Sequence, residues 1–283
     1  MIDLHCHSTA SDGSATPSEI IELAIQEKVT AVALTDHDTI AGLQEFQDAG
    51  KNTGLTVIPG IELSAREENR DEFHFVGLFI NAESESLRAF CHRTRELRQE
   101  RNHKILEQLP SLNYHLTLSE VEAECPGGVI GRPHIAAALI RRGYFRSSKQ
   151  VFKTLLGRGC PGYIARQLPT AAECINAIHQ AGGVAIWAHP FTRTNLTNRR
   201  FRTMVTSLKN LGLDGIEAYY PMHTQEQTRE VCKAATENSL LLSGGSDFHG
   251  LHFPGLKIGV AYGKLNVPDK LLPPLQERAR QYS

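Results

Sequence analysis

Apolar positions recur along this chain in two rhythms, short β-rich runs and longer runs of helical period. Met1–His7 reads as a strand, with Ser11-Asp12-Gly13 as the loop beyond it. Thr16-Pro17-Ser18-Glu19 predicts a helix start, with a threonine cap, proline at the first position and a glutamate closing the capping box. Val29–Thr35 predicts a strand, Ile40–Thr53 a helix, Leu55–Ile61 a third strand with Glu62 just after it, and Phe73–Ile80 a fourth strand.

Near Leu87 the rhythm changes. Leu87–Leu109 is a charged helical run whose arginines and glutamates predict a solvated face, and Leu118–Leu156 continues as short helices without a strand pattern. Alternation then resumes. Thr170–Ala181, Phe201–Leu211 and Gln225–Asn238 predict helices, while Gly183–His189, Gly215–Tyr219 (with Glu217 inside it) and Leu240–Gly244 predict strands. Leu271–Ser283 predicts a short terminal helix. The pattern is that of an α/β barrel formed by residues 1–95 and 166–283, with 96–165 as a helical insertion.

Polar clusters stand at the strand ends. His5 and His7, at i and i+2 on a strand, point the same way and lie about 6–7 Å apart at the backbone, which suits two imidazoles on one divalent ion. Asp12 follows in the loop. Asp36-His37-Asp38 ends the second strand and Glu62 the third, His189-Pro190 ends VAIWAHP, and Asp247-Phe248-His249 repeats the i, i+2 geometry after LLLSGG. His74, between Phe73 and Phe75, taken alone reads as a core histidine with its hydrogen bonds satisfied. The weight lies in the set. Parallel strands deliver their C-terminal ends to one rim, and so many titratable groups would repel or desolvate one another there without bound cations. Imidazole and carboxylate without thiolate suit Mn²⁺, Fe²⁺ or Zn²⁺.

Composition narrows the picture. The 283 residues carry a net charge of −1, which leaves no general nucleic-acid footprint but permits a small arginine-lined pocket. Hydrophobic residues make up 41% of the chain, enough for a core, yet no run approaches the ~20 apolar residues of a membrane span. MIDLHCHSTASDG lacks the basic-then-apolar order of a signal peptide, so a mature start there and a cytoplasmic location are expected. The six cysteines show no C-x-x-C spacing and read as reduced thiols; strand alternation turns Cys6 away from His5 and His7.

His5-Cys6-His7 with Ser11-Asp12-Gly13, Thr35-Asp36-His37-Asp38, Gly60-Ile61-Glu62, His74-Phe75-Val76-Gly77, Ala188-His189-Pro190 and Gly245-Ser246-Asp247-Phe248-His249 follow one another across almost the whole chain. In these pieces the sequence resembles the PHP (polymerase and histidinol phosphatase) superfamily. The resemblance implies a distorted (β/α)7 barrel holding three divalent metals, Mn²⁺ foremost. It places His5, His7, Glu62 and Asp247 on one ion, Asp12, His37 and His249 on a second, and Glu62, His74 and His189 on a third. Several relatives have histidine where this chain has Asp12.

Within the superfamily the chain is most similar to YciV/TrpH-type enzymes, 3′,5′-nucleoside bisphosphate phosphatases of which some are also 5′→3′ exoribonucleases on short RNA (ribonuclease AM). Gly131-Arg132-Pro133-His134 and the Gly157-Arg158-Gly159 … Gly162-Tyr163 segment carry that likeness. It implies a nucleoside 3′,5′-bisphosphate or a short RNA 5′ end as partner, with no membrane and no obligate protein partner. Where relatives have Gly-Arg directly after His-Pro, Phe191 and Thr192 precede Arg193 here.

The expected chemistry is in-line attack on phosphorus by a hydroxide that two metals share, with no protein nucleophile. Asp36, His37 and His249 are candidates for catalytic roles, Asp36 by orienting His37. Arg132 and His134, on an insertion placed to serve as a lid, are candidates for a second phosphate, because a guanidinium grips phosphate through two parallel hydrogen bonds; Arg193 and His223 are further candidates. Two other readings stay open: a different enzyme of the superfamily (histidinol-phosphate phosphatase or polymerase-type exonuclease), and a non-enzymatic metal-binding regulator.

Overall fold

A computed structural model describes residues 1–66, 72–125, 129–192 and 196–282. The chain divides into two compact units, Met1–Cys91 with Pro169–Ser283, and His92–Leu168. In the first, β1 (Ile2–Cys6), α1 (Pro17–Gln26), β2 (Ala31–Leu34), α2 (Leu43–Gly50), β3 (Thr56–Arg66) and β4 (Glu72–Leu78) come in order, and α3 (Glu85–Gln108) then runs on into the second unit. The second unit also holds α4 (Leu118–Glu122), α5 (Arg132–Arg141) and α6 (Ser148–Val151). α7 (Ala171–Gln180), β5 (Val184–Trp187), α8 (Asn198–Asn210), β6 (Gly215–Tyr219), α9 (Gln225–Glu237), β7 (Leu241–Gly244) and α10 (Leu272–Ala279) complete the first. No helix of the described residues is long and apolar enough to cross a membrane.

The seven strands form one curled sheet in chain order. Past β7 the chain crosses back over β1: Asp247 N donates to His5 O at 2.9 Å and His7 N to Phe248 O at 2.9 Å, bridging the first and last strands. All neighbours pair in parallel except β4, which runs antiparallel to both β3 and β5. The expectation of an all-parallel sheet is corrected there. Only five residues separate β3 from β4, too few for the helical crossover that a parallel return requires. β3 also runs on to Arg66, so Glu62 lies inside the strand rather than after it.

Two apolar clusters hold this unit. One packs strand residues such as Val32, Leu34, Leu63, Phe75 and Trp187 against Ile20, Phe46, Ile175, Phe201 and Val231 of the outer helices. The other gathers Ile2, Leu4, Ala33, Ile58, Val76 and Ile186 on the opposite face, with Leu275 and Ala279 of α10. Strict alternation would put His5 and His7 on the face away from Ile2 and Leu4. The β1–β2 register slips between Asp3↔Val32 and Cys6↔Leu34, giving β1 one extra residue. Such a bulge turns the following side chains over, so Leu4 and His5 reach the same side while Cys6 joins the helix-facing core.

Capping fixes the helix starts. The Thr16–Glu19 box forms as its residues predict, and Thr170–Glu173 and Thr224–Gln227 repeat it. Asp214, 1% exposed, ties down the C-terminal segment: it accepts from His179 Nε2 at 2.8 Å, Ala185 N at 2.9 Å, Arg278 Nη1 at 2.7 Å and Tyr282 Oη at 2.8 Å. The second unit has its own core, in which Ile105, Leu109, Ile135, Leu139, Val151 and Leu155 meet. All six cysteines are free.

Candidate metal centre

Strand ends and the loops beyond them bring the sequence-predicted ligands together. Ligand atoms of His5, His7, Glu62 and Asp247 lie within 4.8 Å of one another, and the same holds for His7, Asp12, His37 and His249, and for His37, Glu62 and His74. Glu62 Oε2 lies 3.3 Å from His5 Nε2, 3.2 Å from His7 Nε2 and 3.0 Å from His37 Nδ1. Its Oε1 lies 2.5 Å from His74 Nδ1 and 3.0 Å from His189 Nε2. Asp247 Oδ1 stands 3.1 Å from His7 Nε2, and Asp12 Oδ1 stands 3.4 Å from His249 Nε2. His74 is no solitary core histidine: it opposes Ser64 in the β3–β4 ladder, on the face of Glu62, and so sits diagonally across from that carboxylate.

These groups fit divalent cations. His5 Nε2, both ring nitrogens of His7, and Glu62 Oε2 are buried and make no hydrogen bond of proper geometry among the described residues. Buried lone pairs cost free energy unless a proton or a cation engages them. The electrostatics agree. Burial works to lower His7, but Asp247 and Glu62 outweigh it and push the imidazole up to about 10. His5 rises likewise against burial, through Glu217, Asp247 and Glu62. Burial would raise Glu62 and Asp247, yet the surrounding imidazoles hold both carboxyls well below their usual range. The site gathers positive charge, as protons or as metal ions. Asp247 (φ 53°) and His189 (φ 31°) turn inward in a backbone region that side chains rarely adopt, strain of the kind found where function fixes a side chain.

Supporting residues escaped the sequence reading. Glu217, mid-strand in β6 and 2% exposed, places Oε1 3.1 Å from His5 Nδ1 and accepts from His189 N at 2.8 Å. A carboxylate inside the apolar run GIEAY was the available signal, since burial there demands a partner. Asp3, fully buried, accepts from Ser246 N at 2.9 Å and Gly259 N at 2.6 Å and so pins the last loop to β1. Tyr220 Oη donates to Asp247 Oδ2 at 2.9 Å. Burial, then Asp247, push that phenol up, so it stays a donor. Asp36, which the sequence reading named to orient His37, accepts instead from Ser8 N at 2.8 Å, Ser8 Oγ at 2.6 Å and Ser11 Oγ at 2.5 Å, bracing the loop that carries Asp12.

Among the substrate candidates, His223 lies beside Tyr220, with ring centroids 5.2 Å apart, and donates through Nδ1 to Ala218 O at 3.1 Å. Arg193 lies outside the described residues. In the second unit, His134 Nδ1 accepts from Gly131 N at 3.0 Å and thereby caps α5. Arg132 donates to Leu156 O at 3.2 Å, and its guanidinium lies 5.4 Å from the Tyr163 ring centroid. The charged run of α3 is not a uniformly solvated face: Arg101 is 6% exposed and Asn102 3%. Burial, then Arg98, Arg132 and Arg166, push the Arg101 guanidinium down to about 9. Three further arginines thus stand near enough to Arg101 to add to its positive surroundings.

A sequence model of the PHP domain matches residues 3–158. A 5′-3′ exoribonuclease of Haemophilus influenzae is 36% identical over 247 residues, 87% of this chain and 89% of its own. A 3′,5′-nucleoside bisphosphate phosphatase of Chromobacterium violaceum is 31% identical over 259 residues, 91% of this chain and 90% of its own. A crystal structure from Bifidobacterium adolescentis, described as that of a metal-dependent phosphoesterase, aligns with a TM-score of 0.86 at 30% identity, covering 98% of this chain and 96% of that one.

Proposed function

The chain belongs to the PHP domain family and is a metal-dependent phosphoesterase, and from that premise we propose that it removes the 3′-phosphate of nucleoside 3′,5′-bisphosphates. The observation that carries this reading is the convergence of buried, hydrogen-bond-poor imidazoles and carboxylates on Glu62. His5, His7, Glu62 and Asp247 would hold one ion, Asp12, His37 and His249 a second, and Glu62, His74 and His189 a third. Mn²⁺ is our assignment. Divalent ions there would supply charge neutralisation at the phosphoryl oxygens and acidify a water.

The residues of the chain do the rest. Glu217 fixes the His5 ring so that Nε2 faces Glu62 and Asp247. Tyr220 steadies Asp247, and Asp36 steadies the Asp12 loop. Arg132 and His134 are assigned to the second phosphate of the substrate, since a guanidinium grips a phosphate through two parallel hydrogen bonds. The helical insertion that bears them is the part we assign to substrate selection.

A second substrate shares the chemistry, and the exoribonuclease relatives favour it. In adenosine 3′,5′-bisphosphate and in a 5′-phosphorylated RNA alike, water attacks the phosphorus, the P–O3′ bond breaks, and a nucleoside 5′-monophosphate with a free 3′-hydroxyl departs. The two differ only in whether the phosphorus carries another nucleoside.

The test gives purified protein adenosine 3′,5′-bisphosphate and histidinol phosphate in parallel, before and after chelation and Mn²⁺ reloading. Turnover is expected to vanish on chelation, return with Mn²⁺ and favour the bisphosphate. Preference for histidinol phosphate would overturn the substrate. No turnover of any phosphoester after reloading would instead favour a metal-binding regulator.

A further inference from the structure

A cleft of about 660 Å³ in the barrel unit is not used by the chemistry above. Its volume falls within the range of about 300–1,000 Å³ typical of small-ligand sites. Tyr219 at the end of β6, Tyr220 and Pro221 just after it, Gln225, Thr228 and Arg229 at the start of α9, and Tyr262, Lys264 and Asn266 line it. Three features distinguish it from an ordinary surface hollow.

The first is its wall. The Tyr220 ring lines the cleft while its hydroxyl donates to Asp247 Oδ2 at 2.9 Å, so cleft and metal-ligand set share one side chain. The second is charge. Two cations, Arg229 and Lys264, line the cleft and no carboxylate does. Among the described residues neither cation has a carboxylate partner, whereas Arg202, Lys257 and Arg278 are all ion-paired. The third is the mixture of faces. Tyr262 is a large aromatic left 49% exposed, and beside it stand the amides of Asn266 and of Gln225, whose Oε1 accepts from Arg229 Nη2 at 3.5 Å. His223 also lines the cleft, but its Nε2 is buried and turned away from solvent, so the ring contributes only a face to the wall.

Cations without carboxylate partners, an open aromatic face and amides together match the parts of a nucleotide, phosphate and base. We infer that this cleft is the subsite for the nucleotide 3′ to the scissile phosphate, the one that remains on the RNA when the 5′ nucleotide leaves. The inference rests on the phosphoesterase reading and deepens its RNA arm. A nucleoside 3′,5′-bisphosphate has no group to place there, whereas an RNA must put its next nucleoside somewhere beside the metal ligands. Tyr262 stacks on that base, and Arg229 and Lys264 meet the following phosphate.

The experiment compares Tyr262→Ala and the double variant Arg229→Ala/Lys264→Ala with wild type on two substrates, adenosine 3′,5′-bisphosphate and a 5′-phosphorylated oligoribonucleotide of about five nucleotides. Losing one base stack is worth at least about fivefold in kcat/KM on the oligonucleotide, and the double variant should also flatten its salt dependence. Turnover of the bisphosphate, which also reports that the variants fold and load metal, should stay within about twofold. Oligonucleotide turnover unchanged in both variants, or falling only in step with the bisphosphate, overturns the subsite. A wild type that hydrolyses the bisphosphate but no oligonucleotide overturns the RNA reading and the subsite with it, leaving the phosphatase reading intact.

Discussion

Glu217 Oε1 lies 3.1 Å from His5 Nδ1, and this contact decides which nitrogen of His5 faces the other ligands. With Nδ1 donating to Glu217, Nε2 is left as the lone-pair nitrogen, 3.3 Å from Glu62 Oε2 and 3.4 Å from Asp247 Oδ1. Carboxylates that orient a ligating imidazole typically cost about 10–100-fold in metal affinity when removed. Glu217→Gln should therefore weaken metal retention by about that factor with the fold intact, as read by metal content after dialysis against graded chelator. Unchanged retention would make Glu217 merely structural.

Metal uptake should expel protons. Without cations, His7 is held at about 10, so it is protonated at neutral pH. A cation must displace that proton to use the nitrogen. Calorimetric titration of stripped protein with Mn²⁺, in buffers of different ionisation enthalpy, should show net proton release near pH 7, shrinking as pH rises past 10. Binding without proton release would contradict this ligand role.

Gly245 packs against β1 so closely that a Cβ there would stand 2.4 Å from His5 Cβ and 2.5 Å from its backbone nitrogen. The neighbour cannot yield without moving a ligand. Gly245→Ala should therefore reduce metal content and turnover together, by tenfold or more on the order of ~1–3 kcal/mol of overpacking. Full activity in the variant would show that the β1 seam is softer than its contacts imply.

Asp214 provides the stability test. Burial works against its charged form, but hydrogen bonds from His179, Ala185, Tyr282 and Arg278 hold the carboxyl below its usual value. A folded pKa below the unfolded one contributes stability that is full above the unfolded value and fades as pH falls through the folded one. Asp214→Asn should cost about 2–4 kcal/mol at pH 7 in urea unfolding, and the gap to wild type should close as pH drops below about 4. A gap constant down to pH 3 would exclude the carboxylate as its source.

Arg132→Ala should spare metal content while narrowing the preference for adenosine 3′,5′-bisphosphate over adenosine 3′-monophosphate. A hydrogen bond to a charged group is worth about 1.5–3 kcal/mol, which is about tenfold or more in that ratio. Equal loss on both substrates, or loss of metal, would remove Arg132 from phosphate recognition.

The histidine-bearing strand ends were legible because H-x-H and D-x-H declare their own geometry; eight of the nine candidates fall into clusters of ligand atoms, with His37 rather than His189 beside Glu62 and His74, and His189 meets the set through Glu62 Oε1 at 3.0 Å. What could not be read is which way each run faces. The extra residue in β1 lets Leu4 and His5 share a side, against simple alternation. The reversal of β4 was hidden because parallel and antiparallel strands carry the same apolar period. Glu217 belongs to no motif, and only its isolation in an apolar strand marks it. Arg101 was submerged among the charges of α3, where a buried guanidinium looks like its exposed neighbours in sequence.

The reversed strand also sets how evenly the centre is anchored. Glu62 is stitched to β4 opposite Val76, and on its other side its backbone exchanges hydrogen bonds with Asp36 and Asp38. Asp12, His37, Asp247 and His249 stand outside the named strands. The molecule thus has a keel and a rigging. An ion seated against Glu62 and His74 would be held by groups fixed in the ladder, while one shared by Asp12 and His249 would be held by groups on loops. Ions held by these groups would then differ in how readily they exchange, with those on the loop residues lost first when metal is scarce.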